Sequence, residues 1–181
     1  MALSSPVALA LGAGLAPPTG PAADSFFLKI DAIPGDSADA AAHPHEIEVL
    51  GFDWSVNNTL APGAGGGGAG KAVPSALNCL ARTSKASPLL FAAAASGQHL
   101  GTAVLSVLTR GANPKPRIDI ALVDVAVSGY EVYTDASDAR PLDLISLSFA
   151  RIAYSFHTQD PDGTAGEIVT ASWNFKTNSA R

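Results

Sequence analysis

The sequence predicts a mainly β fold, an antiparallel split β-barrel with one short α-helix. Three observations predict it: from Phe26 onward apolar residues recur with period two, two of the longer apolar runs change phase partway, and one stretch alone carries helix start and stop signals. Alternation marks strands with one buried face. A phase change marks a β-bulge, common where a sheet curls. Turn residues between the runs point to antiparallel neighbours, and curled antiparallel sheets become barrels.

Residues 1–25 stand apart as an arm before the domain. They contain no Lys or Arg, run through an apolar stretch from Val7 to Leu15, and then meet Pro17, Pro18, Gly20 and Pro21. Gly14-Leu15-Ala16 offers a small-x-small cleavage pattern, but the charged start of a signal peptide is missing. The apolar stretch is shorter than the roughly 20 residues that span a bilayer, so no transmembrane anchor is expected. An apolar arm outside a compact domain is expected to dock on a neighbouring subunit.

The domain is expected over residues 26–178, with 179–181 as a tail. Residues 26–31 read as a half-buried strand with Leu28 and Ile30 on one face, Lys29 and Asp31 on the other, and Pro34-Gly35-Asp36 as its turn. In residues 46–57 the apolar phase passes from Ile47 and Val49 to Leu50, Phe52, Trp54 and Val56, with Gly51 at the slip. Residues 61–70 form a glycine-rich surface loop, and the strand over 74–82 is weakly patterned. Ser87 as N-cap, Pro88 at the first helical position and Gly97 as stop bound a helix that should plug or flank the barrel. Residues 102–108 make a strand. Residues 117–127 make a longer one that slips from Ile118, Ile120 and Leu122 to Val123, Val125 and Val127. Strands over 142–156 and 167–176 follow, separated by turns at 111–114, 135–138 and 160–163.

Composition narrows the function. With 181 residues the chain fits one domain able to bury about 70% of its unfolded surface, with no need for a disulfide or structural metal. Charged residues make up 15% and the net charge is −5, so no basic field exists to attract nucleic acid. The apolar fraction of 47% is inflated by alanine. A surface low in charge suits a protein that covers itself with copies. Cys79 is the single cysteine, which forbids an internal disulfide and reads as a small buried hydrophobe rather than an activated nucleophile.

Motifs that could carry chemistry fail on their neighbours. Gly65, Gly70 and Lys71 fit the opening of a phosphate-binding loop, but Ala72 stands where Ser or Thr should hold magnesium, and Val73-Pro74 prevents the helix that should follow. His43-Pro44-His45 with Glu46 or Asp39 specifies no complete metal set. Asp160, Asp162 and Gly163 resemble half of a calcium loop, yet Pro161 and a missing bidentate Glu make a plain turn the better reading. No G-x-S-x-G occurs. We therefore expect no enzyme, with no catalytic, cofactor or metal residue. The chain's end at Arg181 adds the expectation that no catalytic domain is fused.

Several segments, in order, resemble the Hcp family, the tube proteins of the type VI secretion system. Phe27-Leu28-Lys29-Ile30-Asp31 through Ser37 is similar to the family's first strand and turn, and Ile47 through Trp54 to its second strand. Lys85 through Leu90, closing at Gly97-Gln98-His99, resembles the family helix. Asp124 through Tyr130, Ser146 through Ile152, Gln159 through Gly166, and Trp173 follow in family order. The resemblance covers about residues 26–178. It implies hexameric rings stacked into a hollow tube, with the protein itself as chief partner, effector proteins in the lumen, and tip or sheath proteins of a secretion machine beyond. It implies a cytoplasmic stage before export and a secreted destination.

The glycine-rich loop corresponds to the one that in the family reaches a neighbouring ring. Subunit contacts are therefore expected at Asn57, Asn58, Leu60, Lys71, Val73 and Leu77 beside that loop, and at Asp160 and Asp162. Lys29, Asp31, Asp119, Ser146 and Ser148 belong to the outward polar set from which a lumen would draw. The arm and the glycine content of the loop depart from the family pattern. The readings left open beside the tube are a monomeric secreted effector or binding module of the same fold, and a subunit of another extracellular tubular filament.

Overall fold

The period-two runs become strands because each can bury one face and pair its backbone on both sides, which the segments between them, rich in Gly, Pro and Asp, cannot do. A computed structural model describes residues 24–39, 41–59, 70–109, 114–135, 138–160 and 162–180. In chain order it holds β1 (Ser25–Ile30), β2 (Ile47–Asp53), β3 (Val56–Asn58), β4 (Ala72–Pro74), β5 (Leu77–Arg82), α1 (Ser87–Ser96) and β6 (Thr102–Leu108). Then come β7 (Pro116–Val123), β8 (Ala126–Asp135), β9 (Asp138–Ser148), β10 (Arg151–Gln159), β11 (Ala165–Asn174) and β12 (Ser179–Ala180). Ten strands form one antiparallel sheet in the order β12-β11-β10-β7-β6-β1-β2-β5-β9-β8, and β3 pairs with β4 alone.

The sheet curls without closing. Its halves, β12 to β1 and β2 to β8, enclose one apolar cluster in which Leu28, Leu77, Leu105, Ile120, Val125, Ile145 and Leu147 are fully buried. Fully burying each such aliphatic side chain contributes about 2 kcal/mol. The expected bulge in the second strand is present: Val49 pairs with Ala81 and Gly51 with Leu80, so Leu50 is the extra residue.

Two expected long strands are each divided. The run over 117–127 is β7 and β8, parted at Asp124 and Val125, and the run over 142–156 is β9 and β10, parted at Phe149 and Ala150. Asp124 takes φ 57°, which reverses the chain and sends β8 to the far edge of the sheet. The phase change there is thus a crossing between halves rather than a bulge. The two crossings are bonded together: Ala150 N–H donates to the Val123 carbonyl at 3.0 Å, and Phe175 N–H donates to the Ala150 carbonyl at 2.9 Å.

Helix α1 flanks the sheet against β8, turning Ser87, Leu90 and Ala93 inward. Its start differs from expectation. Ala86 is the N-cap residue, and Ser87, the first helical residue, gives its hydroxyl to Asp143 instead of to the helix. The stop at Gly97 is as expected, left-handed at φ 66° with its N–H on the Ala93 carbonyl. The expected tail also differs, because Ser179 and Ala180 pair with Asn174 and Trp173 as β12.

Gly35 closes the turn after β1. A Cβ there would stand 2.2 Å from the Glu46 carbonyl oxygen, so only glycine lets the turn lie against the approach to β2.

Candidate assembly surface

Strand β11 carries the first candidate edge. It pairs with β10 along its length but with β12 only at Trp173 and Asn174, so the backbone from Gly166 to Ala171 has no ladder partner on its outer side among the described residues. Ile168 and Val169, on opposite faces of this edge, are 56% and 55% exposed. Strand β8 is the other edge: it pairs with β9, and its free side meets α1 and an isolated bridge from His99 to Ala126. Long edges with apolar side chains are templates for another chain.

The β3–β4 hairpin leads to the glycine-rich loop and gathers four of the expected contact residues. Asn57 pairs with Val73 and Asn58 with Ala72, and Asn57, Asn58, Lys71 and Val73 are all exposed. The hairpin is tied to the chain's end by Asn178, whose Oδ1 accepts the Ala72 N–H at 3.0 Å and whose Nδ2 donates to the Gly70 carbonyl at 3.3 Å. Leu60 lies outside the described residues. Leu77 corrects an expectation: it is fully buried opposite Leu147 in the molecule's own core and has no surface to offer a neighbour.

Asp160 and Asp162 are exposed in the β10–β11 turn. Asp162 accepts the Thr164 N–H and hydroxyl at 2.9 and 2.7 Å, which holds its carboxyl below the ordinary range. Gly163 at φ 81° donates its N–H to the Asp160 carbonyl, and Lys115 Nζ donates to the Gly163 carbonyl. The carboxylate is committed to its own turn.

Other residues with chemical potential are likewise committed to neighbours. Burial, with the Asp53 carboxylate as a lesser cause, pushes the Cys79 thiol far above its ordinary value, so it stays protonated and unreactive. His43 stacks flat on Phe27 at 4.2 Å and bonds Glu46 at 2.8 Å, covering the back of β1. Lys71 leads into a strand rather than a helix, leaving no dipole to face a phosphate. Among the described residues no three His, Cys, Asp or Glu side chains group as metal ligands.

The face of β6, β7, β10 and β11 turned away from the core is small and polar. Ser106, Asp119, Ser155 and Thr170 stand in one cross-strand row. Ser106 donates to Asp119 at 2.8 Å, His157 meets the other Asp119 oxygen at 2.8 Å, and Ser155 and Thr170 share a hydrogen bond at 2.8 Å. The neighbouring row is Val104, Ala121, Ala153 and Ser172. Of the other expected polar set, Lys29 is exposed, Asp31 accepts the Thr102 hydroxyl at 2.7 Å, and Ser146 donates to Asn78 at 2.8 Å. Ser148 donates to the Ala126 carbonyl at 3.3 Å.

An aromatic groove of about 390 Å³ opens between the hairpin and β10–β11, with Trp54, Val56, Tyr154, Trp173 and Phe175 among its walls. Trp54 and Tyr154 rings lie 6.2 Å apart. The Trp173 indole N–H is shielded and finds no acceptor among the described residues, a cost of roughly 1–3 kcal/mol if it stays unmet. The sequence reading missed this groove and the β11 edge. The signal for the edge was legible: Ile168-Val169 breaks alternation, so one of the pair must face outward.

Comparisons agree with this architecture. A family model described as "Type VI secretion system effector, Hcp" matches residues 27–156. Hcp1 from Salmonella typhimurium is 31% identical, covering 88% of this chain and 99% of its own, with a TM-score of 0.72. A solved type six secretion system protein is 29% identical over 88% of this chain and 100% of its own, with a TM-score of 0.80. A type VI secretion system effector from Yersinia pestis is 26% identical over 82% and 98%, with a TM-score of 0.66. No curated protein sequence matches the chain.

Proposed function

Because the chain belongs to the Hcp family of the type VI secretion system, we propose that it is a structural subunit that closes into hexameric rings and stacks into a hollow tube carrying effector proteins. The observation that carries this reading is a curled sheet that stays open, with β8 as its last strand on one side and, near the other, an outer side of β11 that has no ladder partner from Gly166 to Ala171 among the described residues. Two different edges on one protomer suit a head-to-tail contact, and head-to-tail contacts that close by rotation make rings. The exposed Ile168 and Val169 supply apolar area for the joint. The hairpin bearing Asn57, Asn58, Lys71 and Val73 then projects toward the next ring, with Asp160 and Asp162 at a separate contact.

The small polar face fits a conduit wall. Ser106, Ala121, Ala153, Ser155, Thr170 and Ser172 offer cargo neither large apolar pockets nor free charge to hold it. Tip and sheath proteins of the machine are the remaining partners. The protein acts without catalysis, in the cytoplasm before export and outside afterwards. No helix among the described residues is long and apolar enough to cross a membrane.

Sedimentation of the purified chain beside Val169→Lys tests the contact. The parent is expected to sediment as a hexamer or larger, and the variant as a folded monomer. A parent that stays monomeric at high concentration overturns the ring and selects a binding module of the same fold, for which the aromatic groove is the candidate site.

A further inference from the structure

We propose that the aromatic groove receives the chain's own N-terminal arm, with Pro17 and Pro18 laid against Trp54, Tyr154 and Trp173. The inference is independent of ring formation.

The chemistry on the two sides matches. Segments rich in proline hold the extended polyproline conformation without cost in hydrogen bonds, because proline has no N–H, and their free carbonyls and ring faces dock in grooves walled by aromatic side chains. The arm offers such a segment over residues 16–21, Ala-Pro-Pro-Thr-Gly-Pro. The groove offers two tryptophans and a tyrosine, and in Trp173 an indole N–H without an acceptor among the described residues. A backbone carbonyl of the arm is the partner that such a donor lacks.

Charge agrees as well. Residues 1–23 contain no Asp, Glu, Lys or Arg, and no residue lining the groove is charged, so docking strips no ion of its water.

Reach is sufficient. The arm joins the fold at Asp24, held to Arg117 at 3.3 Å. Leu28, Leu105, Ile120 and Tyr154 share one cross-strand row, which places Tyr154 three strands across from β1 and four residues along from Asp24. That is about 19 Å over the sheet at the usual strand spacing and rise. Seven residues from Pro17 to Asp24 span about 22 Å as polyproline helix. Phe156, exposed on the groove's side of β10, gives the arm an apolar foothold on the way.

The test uses the full chain with Pro18→Cys and Val56→Cys. Val56 lines the groove and is half exposed, and the native Cys79 is buried and protonated, so it does not compete. Mild oxidation is expected to give a disulfide within one chain, mapped by peptide mass. A disulfide between chains, or none, overturns the proposal. A second measurement needs no new cysteine. The chain's two tryptophans both line the groove, so intrinsic fluorescence reports on it alone. Pro17→Asp with Pro18→Asp is expected to shift emission to the red and raise acrylamide quenching, and an unchanged spectrum contradicts docking.

Discussion

The Ser87 hydroxyl donates to the Asp143 carboxylate at 2.5 Å, joining the first residue of the helix to the middle of β9. Asp143 is 1% exposed, and its other oxygen accepts the Thr83 hydroxyl at 2.8 Å. A carboxylate in that position is tolerable only because hydroxyls replace its water. Ser87→Ala is therefore expected to lower the unfolding free energy by about 2 kcal/mol, since it takes one hydrogen bond from a buried acceptor. Urea denaturation measures the loss, and an unchanged midpoint contradicts the role given to the pair.

Cys79 lies in the interior strand β5 opposite Ile145, with burial holding its thiol protonated. A thiol reagent at neutral pH is expected to leave the native protein unmodified and to react fully once it is unfolded. Cys79→Ser should cost roughly 1–3 kcal/mol, because the hydroxyl finds no partner among Leu77, Ala81 and Ile145. Fast labelling of the native state would contradict the placement.

Gly35→Ala drives a methyl group into the Glu46 carbonyl, 2.2 Å away. The turn must open to admit it, which typically costs about 1–3 kcal/mol. Thermal unfolding followed by circular dichroism should show a clear drop, whereas Gly97→Ala, open in space but left-handed, should cost about 1 kcal/mol.

Asp124 titrates below its ordinary value of 3.8, held down first by the hydrogen bond from Lys176 at 3.1 Å and then by that ammonium's charge. A carboxylate depressed in the folded state adds stability that is present above the ordinary value and lost as pH falls through the lower, folded one. The loss is therefore confined to acid, around and below pH 3.8, and solvent exposure of both partners keeps the contribution small. Carbon-detected NMR titration should place the Asp124 midpoint below 3.8 and move it upward in Lys176→Met; coincident midpoints would dismiss the pair.

Much of the fold was legible because burial and alternation act locally. Leu28 with Ile30, the bulge at Leu50 and the stop at Gly97 each follow from a neighbour or two along the chain. The divided strands were not legible, since nothing in Val123-Asp124-Val125 announces that Asp124 will turn left-handed and carry β8 to the opposite edge. Only contacts distant in sequence decide that. Ser87 was misjudged for the same reason: its strongest acceptor lies 56 residues away. The assembly surface was half visible. Asn57, Asn58, Lys71 and Val73 share one hairpin, while Leu77, a few residues on, lies in the core, because the weak pattern over 74–82 hid a strand paired on both sides.

Electron microscopy of the purified, full-length protein tests the assembly most directly. Class averages are expected to show six-fold rings around an open centre, some stacked end to end. A field of single, asymmetric particles at every concentration, with both β8 and β11 bare, would contradict it.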